Sequence, residues 1–289
     1  MDSNIDGAWF DAQYNNRARV PGHAEILARW ASDSVQTQAS HPAQLDLHYG
    51  DSAAETLDVF PASRADAPVL FFIHGGYWRA LDKSDHSFVA PAFVDAGATV
   101  VVPNYALCPV VSVEEIARQM TRALAWTWKN VAGGGRAGGG KPRRIVVAGH
   151  SAGGHLAAML LCCRWRNVLA GMPAQPVAAA VSVSGLFDLK PIMHTPFLQA
   201  DLRLTAAMAQ RTSPAGFAPP KSPLLSLVGA DESEEFLRQN RLIRERWGAA
   251  AVPVCEEIAG ANHFTVLDDL VQPAGHAHQL TLGLLGLAG

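Results

Sequence analysis

Arg144-Ile145-Val146-Val147-Ala148-Gly149-His150-Ser151-Ala152-Gly153-Gly154-His155-Leu156 is an apolar, β-branched run that breaks into a glycine-flanked serine and then resumes as an apolar segment. The run has the length and composition of a buried strand, and the segment after the serine has those of a helix. A strand, a tight G-x-S-x-G turn and a helix lift a serine Oγ above the carboxyl end of a parallel sheet. The glycines serve the turn: the serine backbone is strained, and side chains two residues to either side would strike the neighbouring strand or helix. Taken alone the motif is short, and a Gly-rich connection reads almost as well; the rest of the chain decides between them.

Upstream, Pro68-Val69-Leu70-Phe71-Phe72-Ile73 is a second buried-strand run, ending in His74-Gly75-Gly76-Tyr77-Trp78. Glycines at a strand end let backbone N–H groups approach an oxygen that becomes negative during acyl transfer. Gly75 and Gly76 are the expected loop donors of such an oxyanion hole. The amide of Ala152, next after the serine and first in its helix, is the third.

A chain of 289 residues, 49% hydrophobic and 17% charged, is long enough for one large α/β domain. A formal net charge of −3 supplies no basic field for nucleic acid, and no nucleic-acid partner is expected. Met1-Asp2-Ser3-Asn4-Ile5-Asp6 lacks the basic and apolar regions of a signal peptide, and no apolar run reaches the length of a membrane span. The expectation is a cytoplasmic protein with no membrane partner. Cys108, Cys162, Cys163 and Cys255 have no C-x-x-C spacing and read as reduced, with Cys162-Cys163 about three turns into the helix after Ser151 and at least one of them in the core. The eleven histidines, including His150, His155, His276 and His278, match no usual zinc spacing, so no metal is expected. Gly135 to Lys141 fits G-x-x-x-x-G-K, but Pro142 stands where Ser or Thr would hold Mg²⁺, and the segment follows a helix and precedes a strand. It reads as part of a flexible surface loop, Gly133 to Gly140.

A helix over 22–38 and short strands at 43–49 and 55–60 precede a strict alternation: strand 68–74, a helical stretch near 86–96, strand 98–103, and a helix in which Val113, Ile116, Ala117, Met120 and Leu124 recur at helical spacing. Ser112 with Glu115 reads as a capping box at that helix's start. After the Ser151 strand and helix come strand 177–184, strand 224–229, a helix near 233–247, strand 252–258 and a final helix near 276–287. This alternation implies a single domain over 1–289 with a mostly parallel sheet of about eight strands, helices on both faces and an antiparallel edge, the α/β-hydrolase pattern. Residues 186–222, rich in proline, interrupt the rhythm; they read as a cap-like insertion over the active site or, failing that, as a disordered excursion.

A serine hydroxyl needs an imidazole to take its proton, and the imidazole needs a carboxylate to hold its tautomer. In this fold the chain order is Ser, then Asp or Glu, then His. Gly229-Ala230-Asp231-Glu232 and Gly260-Ala261-Asn262-His263-Phe264 follow the two late strands, at the carboxyl ends where the crevice forms. His263 is the histidine in position. Spacing from Gly229 favours Glu232 as the acid, with Asp231 kept open though it also suits an N-cap role paired with Glu234.

At this point the residues resemble the kynurenine formamidase (arylformamidase) branch of the α/β-hydrolases, related to the hormone-sensitive-lipase-like esterases. The resemblance runs nearly the whole chain, through Tyr14-Asn15-Asn16-Arg17, His74 to Trp78 with Asp82-Lys83-Ser84, Gly149 to Leu156, Ser184-Gly185-Leu186-Phe187-Asp188-Leu189-Lys190-Pro191-Ile192, Glu232 to Gln239, and Asn262-His263-Phe264. It implies Ser151 as nucleophile, Glu232 as acid and His263 as base, acting on N-formyl-L-kynurenine without metal or cofactor. The family often carries Asp where Glu232 stands. Tyr77 and Trp78 are candidates for a wall against the substrate's aromatic ring, or else core packing beneath the loop. The implied partner is a small aryl formamide or ester, with a homodimer left open. A carboxylesterase for small acyl esters, or a non-catalytic binding protein on this fold, are the rival readings.

Overall fold

The computed structural model describes residues 7–133 and 143–288. Met1–Asp6 and, apart from Gly133, the Gly133–Gly140 loop with its G-x-x-x-x-G-K match lie outside the described residues. Three helices open the chain, α1 (Gly7–Tyr14), α2 (Asn16–Arg19) and α3 (His23–Ser40), followed by strands β1 (Gln44–His48), β2 (Thr56–Phe60) and β3 (Val69–Ile73). Then α4 (Ala90–Asp95), β4 (Thr99–Pro103), α5 (Val113–Asn130), β5 (Ile145–His150), α6 (Ala152–Leu161) and β6 (Val177–Val183) alternate. Three short helices, α7 (Lys190–Met193), α8 (Pro196–Leu202) and α9 (Ala206–Arg211), separate β6 from β7 (Leu224–Gly229). The chain closes with α10 (Glu234–Trp247), β8 (Val254–Ile258), α11 (Val266–Val271) and α12 (His276–Leu285).

The eight strands form one sheet in the order β1-β2-β4-β3-β5-β6-β7-β8. β2 runs antiparallel to β1 and β4, and every other pairing is parallel. The central strands are buried along their whole length, as parallel strands covered on both faces must be. Alternate residues feed two cores: Val69, Phe71, Ile73 and Val147 meet α5, α6 and α10 on one face, and Leu70, Phe72, Val146 and Ala148 meet α3, α4, α11 and α12 on the other. Among the described residues no helix is long and apolar enough to cross a membrane.

Several local expectations change. α1 and α2 carry almost no periodic signal; α1 is held by long-range contacts such as the Tyr14 hydroxyl donating to Glu235 Oε2 at 2.6 Å. Only half of the expected capping box forms at α5: Ser112 Oγ accepts from the Glu115 amide, while the Glu115 carboxylate is drawn away to Arg118 and Arg122. At α10 the cap is Ser233 rather than Asp231, because Ser233 Oγ accepts from the Phe236 amide. α6 stops at Leu161 after ten residues, so Cys162 and Cys163 sit past its end and half-buried, instead of inside the helix with one in the core. Burial still pushes the Cys162 thiol up to about 12.

Candidate active site

Ser151 follows β5 with φ 56° and ψ −118°, a conformation that L residues adopt only when surrounding structure imposes it. Here its amide donates to Val183 O at 2.8 Å and its carbonyl accepts from the His155 amide, locking the turn between β6 and α6. A Cβ on Gly149 would lie 2.2 Å from Gly153 O, and one on Gly153 would lie 2.0 Å from Ile73 O. The two glycines of G-x-S-x-G are therefore set by backbone approach on both sides of the serine.

His263 is presented by a turn in which Asn262 Oδ1 accepts from the amides of Phe264 and Thr265, and Thr265 Oγ1 accepts from the Asn262 amide. Its Nδ1 lies 2.6 Å from Glu232 Oε2 and its Nε2 lies 3.1 Å from Ser151 Oγ. A carboxylate can only accept, so Nδ1 carries the proton and donates, which leaves Nε2 of the neutral ring as acceptor for the serine hydroxyl. Glu232 Oε1 accepts from the Gly229 amide at 2.9 Å and from the Ser184 hydroxyl. The structure thus brings Ser151, His263 and Glu232 together and buries all three, while Asp231 is exposed.

Two supporting residues escape a reading by motif. Ser184, at the end of β6 with φ 53°, anchors the Glu232 carboxylate. His150 Nε2–H donates to the His263 carbonyl at 2.7 Å and so fixes the backbone that carries the His263 ring. Burial holds the His150 pKa well below the usual imidazole range, with the nearby His263 adding to the effect. Their signal was present in outline, a hydroxyl after a parallel strand and a histidine beside the serine, yet neither position reveals its partner from sequence.

Gly75 lies against Ser151, and Gly76 follows it in the same loop. A Cβ on Gly75 would stand 3.2 Å from Ser151 Cβ, and Gly76, at φ 101°, would drive a Cβ to 2.0 Å from Ala80 O. The Tyr105 hydroxyl reaches the carbonyls of His74 and Gly75 at 3.0 and 3.1 Å, and its ring stacks on His74 at 4.2 Å. In a planar trans peptide the N–H points opposite the C=O, so turning both carbonyls to Tyr105 turns the Gly75 and Gly76 amides away from it. Ala152 is fully buried at the first position of α6, where its amide has no intrahelical acceptor.

A cavity of about 430 Å³ opens over Ser151 and His263. Trp30, Tyr77, Phe197 and Phe264 give it aromatic walls, and Arg17, Arg79 and Asp201 add charge. Tyr77 is a wall residue whose hydroxyl donates to Tyr14 O at 2.7 Å and accepts from Asn16. Trp78 does not share that position: it is wholly buried, edge-on to His155 at 5.0 Å, and its expected place on the substrate wall is corrected to core packing under the loop. Among the described residues no three His, Cys, Asp or Glu side chains gather where they could hold a metal.

A family model described as alpha/beta hydrolase fold matches residues 70–267. The kynurenine formamidase of Danio rerio is 28% identical over 254 residues, 84% of this chain and 82% of the relative. The kynurenine formamidase of Drosophila melanogaster is 32% identical over 150 residues, 51% of this chain and 47% of the relative. A solved structure from Silicibacter sp. TM1040, named provisionally as a thioesterase, is 30% identical with a TM-score of 0.82 and coverage of 93% of this chain and 97% of its own. Esterase B from Lactobacillus rhamnosis shares the fold at 16% identity, a TM-score of 0.65 and coverage of 95% and 96%.

Proposed function

The chain belongs to the alpha/beta hydrolase fold family, an amidase or esterase by its relatives, and from that premise we propose that it is a serine hydrolase of N-formyl aryl amides, with N-formyl-L-kynurenine as substrate. The observation that carries this reading is the buried Ser151–His263–Glu232 relay, with contacts of 3.1 and 2.6 Å, beneath an aromatic cavity in a chain whose curated relatives are kynurenine formamidases.

Ser151 Oγ attacks the formyl carbon as its proton passes to His263 Nε2, and the carbonyl π electrons move onto oxygen. The amides of Gly75, Gly76 and Ala152 hold that oxyanion. Collapse of the intermediate breaks the C–N bond, and His263 returns the proton to the aryl nitrogen. That return matters because an aniline-type nitrogen is a poor leaving group as an anion. Water, deprotonated by His263, then attacks the formyl-serine ester and releases formate. Glu232 keeps the proton of Nδ1 in place and stabilises the imidazolium at each step. Tyr77 and the other aromatic walls take the aryl ring, and residues 186–222, which contribute Phe197 and Asp201 to the cavity, serve as a cap.

The same machinery cleaves small acyl esters, so substrate preference is the test. Steady-state kcat/KM on N-formyl-L-kynurenine above about 10⁴ M⁻¹s⁻¹, lost in Ser151→Ala, supports the formamidase. Faint formamidase activity beside brisk cleavage of p-nitrophenyl acetate would replace it with an esterase.

A further inference from the structure

The cavity holds a charge pair that the chemistry above does not use. Arg79, three residues beyond Gly76, donates from Nη1 to Asp201 Oδ2 and to Phe197 O at 2.9 Å, and its guanidinium carbon lies 5.3 Å from the centre of the Phe197 ring. Both partners line the cavity and remain partly open, with side-chain exposures of 27% and 37%. Arg79 makes both bonds through Nη1, and Asp201 accepts through Oδ2. Guanidinium has five N–H donors and a carboxylate about four acceptor sites, so each of these cavity-lining partners retains hydrogen-bonding capacity. Arg17, exposed on α2, adds a second cation at the rim.

A small apolar acyl ester offers neither charge of this partly exposed pair a partner. A ligand bearing an ammonium and a carboxylate on one carbon completes them: its carboxylate extends the pair on the arginine side and its ammonium on the aspartate side. Aromatic walls and a zwitterionic subsite in one cavity describe an aromatic ring with a short α-amino acid tail.

We propose that Arg79 and Asp201 form the subsite for the α-amino acid group of the substrate, Arg79 with Arg17 receiving the carboxylate and Asp201 the ammonium. This rests on the formamidase reading for the reaction but concerns recognition alone. It also gives the insertion a specific task, because α8 carries the ammonium ligand.

Binding of product tests recognition without requiring any bond to break. Calorimetric titration of wild type with L-kynurenine, and with its two analogues lacking either the carboxylate or the ammonium, is expected to show L-kynurenine bound at least about tenfold more tightly than either. Asp201→Asn should erase discrimination against the analogue without the ammonium, Arg79→Gln should cut discrimination against the one without the carboxylate at least about threefold with Arg17 still in place, and Asp201→Glu should restore much of the former. A pair that only clamps the oxyanion loop to α8 would shift thermal stability and leave these ratios unmoved. Undetectable binding of L-kynurenine to wild type, or three ligands bound within twofold, overturns the subsite whatever the variants do. Intact discrimination with no formamide turnover would overturn the reaction assigned above and leave the subsite standing.

Discussion

On the proposed mechanism, Glu232→Gln, set beside Asp231→Ala, isolates the carboxylate that orients the base. In the native site Oε1 accepts from the Gly229 amide at 2.9 Å and Oε2 faces the Nδ1 proton of His263 at 2.6 Å. Glutamine can satisfy only one of these with its oxygen. Turning the NH₂ toward Gly229 would set it against a fixed backbone donor, whereas the Ser184 hydroxyl can rotate to suit either choice. The oxygen therefore stays on Gly229 and the NH₂ faces Nδ1. That contact demands an unprotonated Nδ1, which moves the ring proton to Nε2, so the ring can no longer accept from Ser151 Oγ. Loss of the correct tautomer in a serine triad costs about 10³- to 10⁴-fold in kcat, or about 4–5.5 kcal/mol of barrier. Asp231 is exposed and touches none of these groups, so its truncation should stay within about 0.5 kcal/mol. Stopped-time assays on p-nitrophenyl acetate and N-formyl-L-kynurenine, with circular dichroism to verify folding, read both. A Glu232→Gln enzyme within tenfold of wild type, or an Asp231→Ala enzyme that loses more, would refute the tautomer argument.

Tyr105→Phe removes the hydroxyl that turns the His74 and Gly75 carbonyls, so kcat should drop by about tenfold or more while KM stays within about twofold; a KM change with kcat unaltered would assign Tyr105 to substrate binding instead. Gly153→Ala, whose Cβ would stand 2.0 Å from Ile73 O, should fail to give soluble folded protein, whereas Gly216→Ala, with open space around its Cβ, should fold normally; equal yields would contradict the packing. His86 and His155 are buried, and burial lowers their pKa values to about 3 and about 4. Below an ordinary histidine pKa of about 6.5 the unfolded chain gains protons that the folded chain refuses, so their stabilising share is complete above that pH and is lost as pH falls toward about 4. The two together should remove stability at up to about 3 kcal/mol per pH unit in that window, and a urea midpoint unchanged between pH 7 and 5 would count against it.

The sheet was legible because its central strands are continuous apolar runs, and strand order placed Ser151 and His263 at carboxyl ends while narrowing the acid to Glu232 or Asp231; only the folded geometry sets Glu232, and not the exposed Asp231, against His263. Helix ends were less legible. Ser233 outcompetes Asp231 as a cap through a choice among neighbouring side chains that composition does not rank, and Glu115 abandons the capping box because Arg118 and Arg122 are within reach. α1, α2 and the charged end of the cavity depend on contacts spanning much of the chain, Tyr14 with Glu235 and Arg79 with Asp201, for which local sequence has no signature. Trp78 shows the same limit within one motif, since neighbouring aromatics in His74-Gly75-Gly76-Tyr77-Trp78 separate into a cavity wall and a core residue only when the loop's path is known.

That path also shows where the molecule stores its strain. Left-handed φ angles outside glycine occur among the described residues at Asp46, Tyr77, Trp78, Leu81, Ser151, Ser184 and Arg203; Tyr77, Leu81 and Ser151 line the cavity, Trp78 lies beneath its loop, and Ser184 holds the Glu232 carboxylate. Each costs about 1–3 kcal/mol relative to relaxed backbone, so a cost of several kcal/mol is concentrated at one end of the sheet. The surrounding structure must overdetermine these residues: the Cys108 amide donates to Trp78 O at 2.8 Å, the Tyr77 hydroxyl to Tyr14 O, and the Ser184 amide to Leu227 O at 2.7 Å. Substitutions that weaken these ties should therefore, on the proposed mechanism, depress turnover before they depress global stability, because the first conformational freedom they release is that of the loop after β3 and of the residues bracing Ser151, Glu232 and His263.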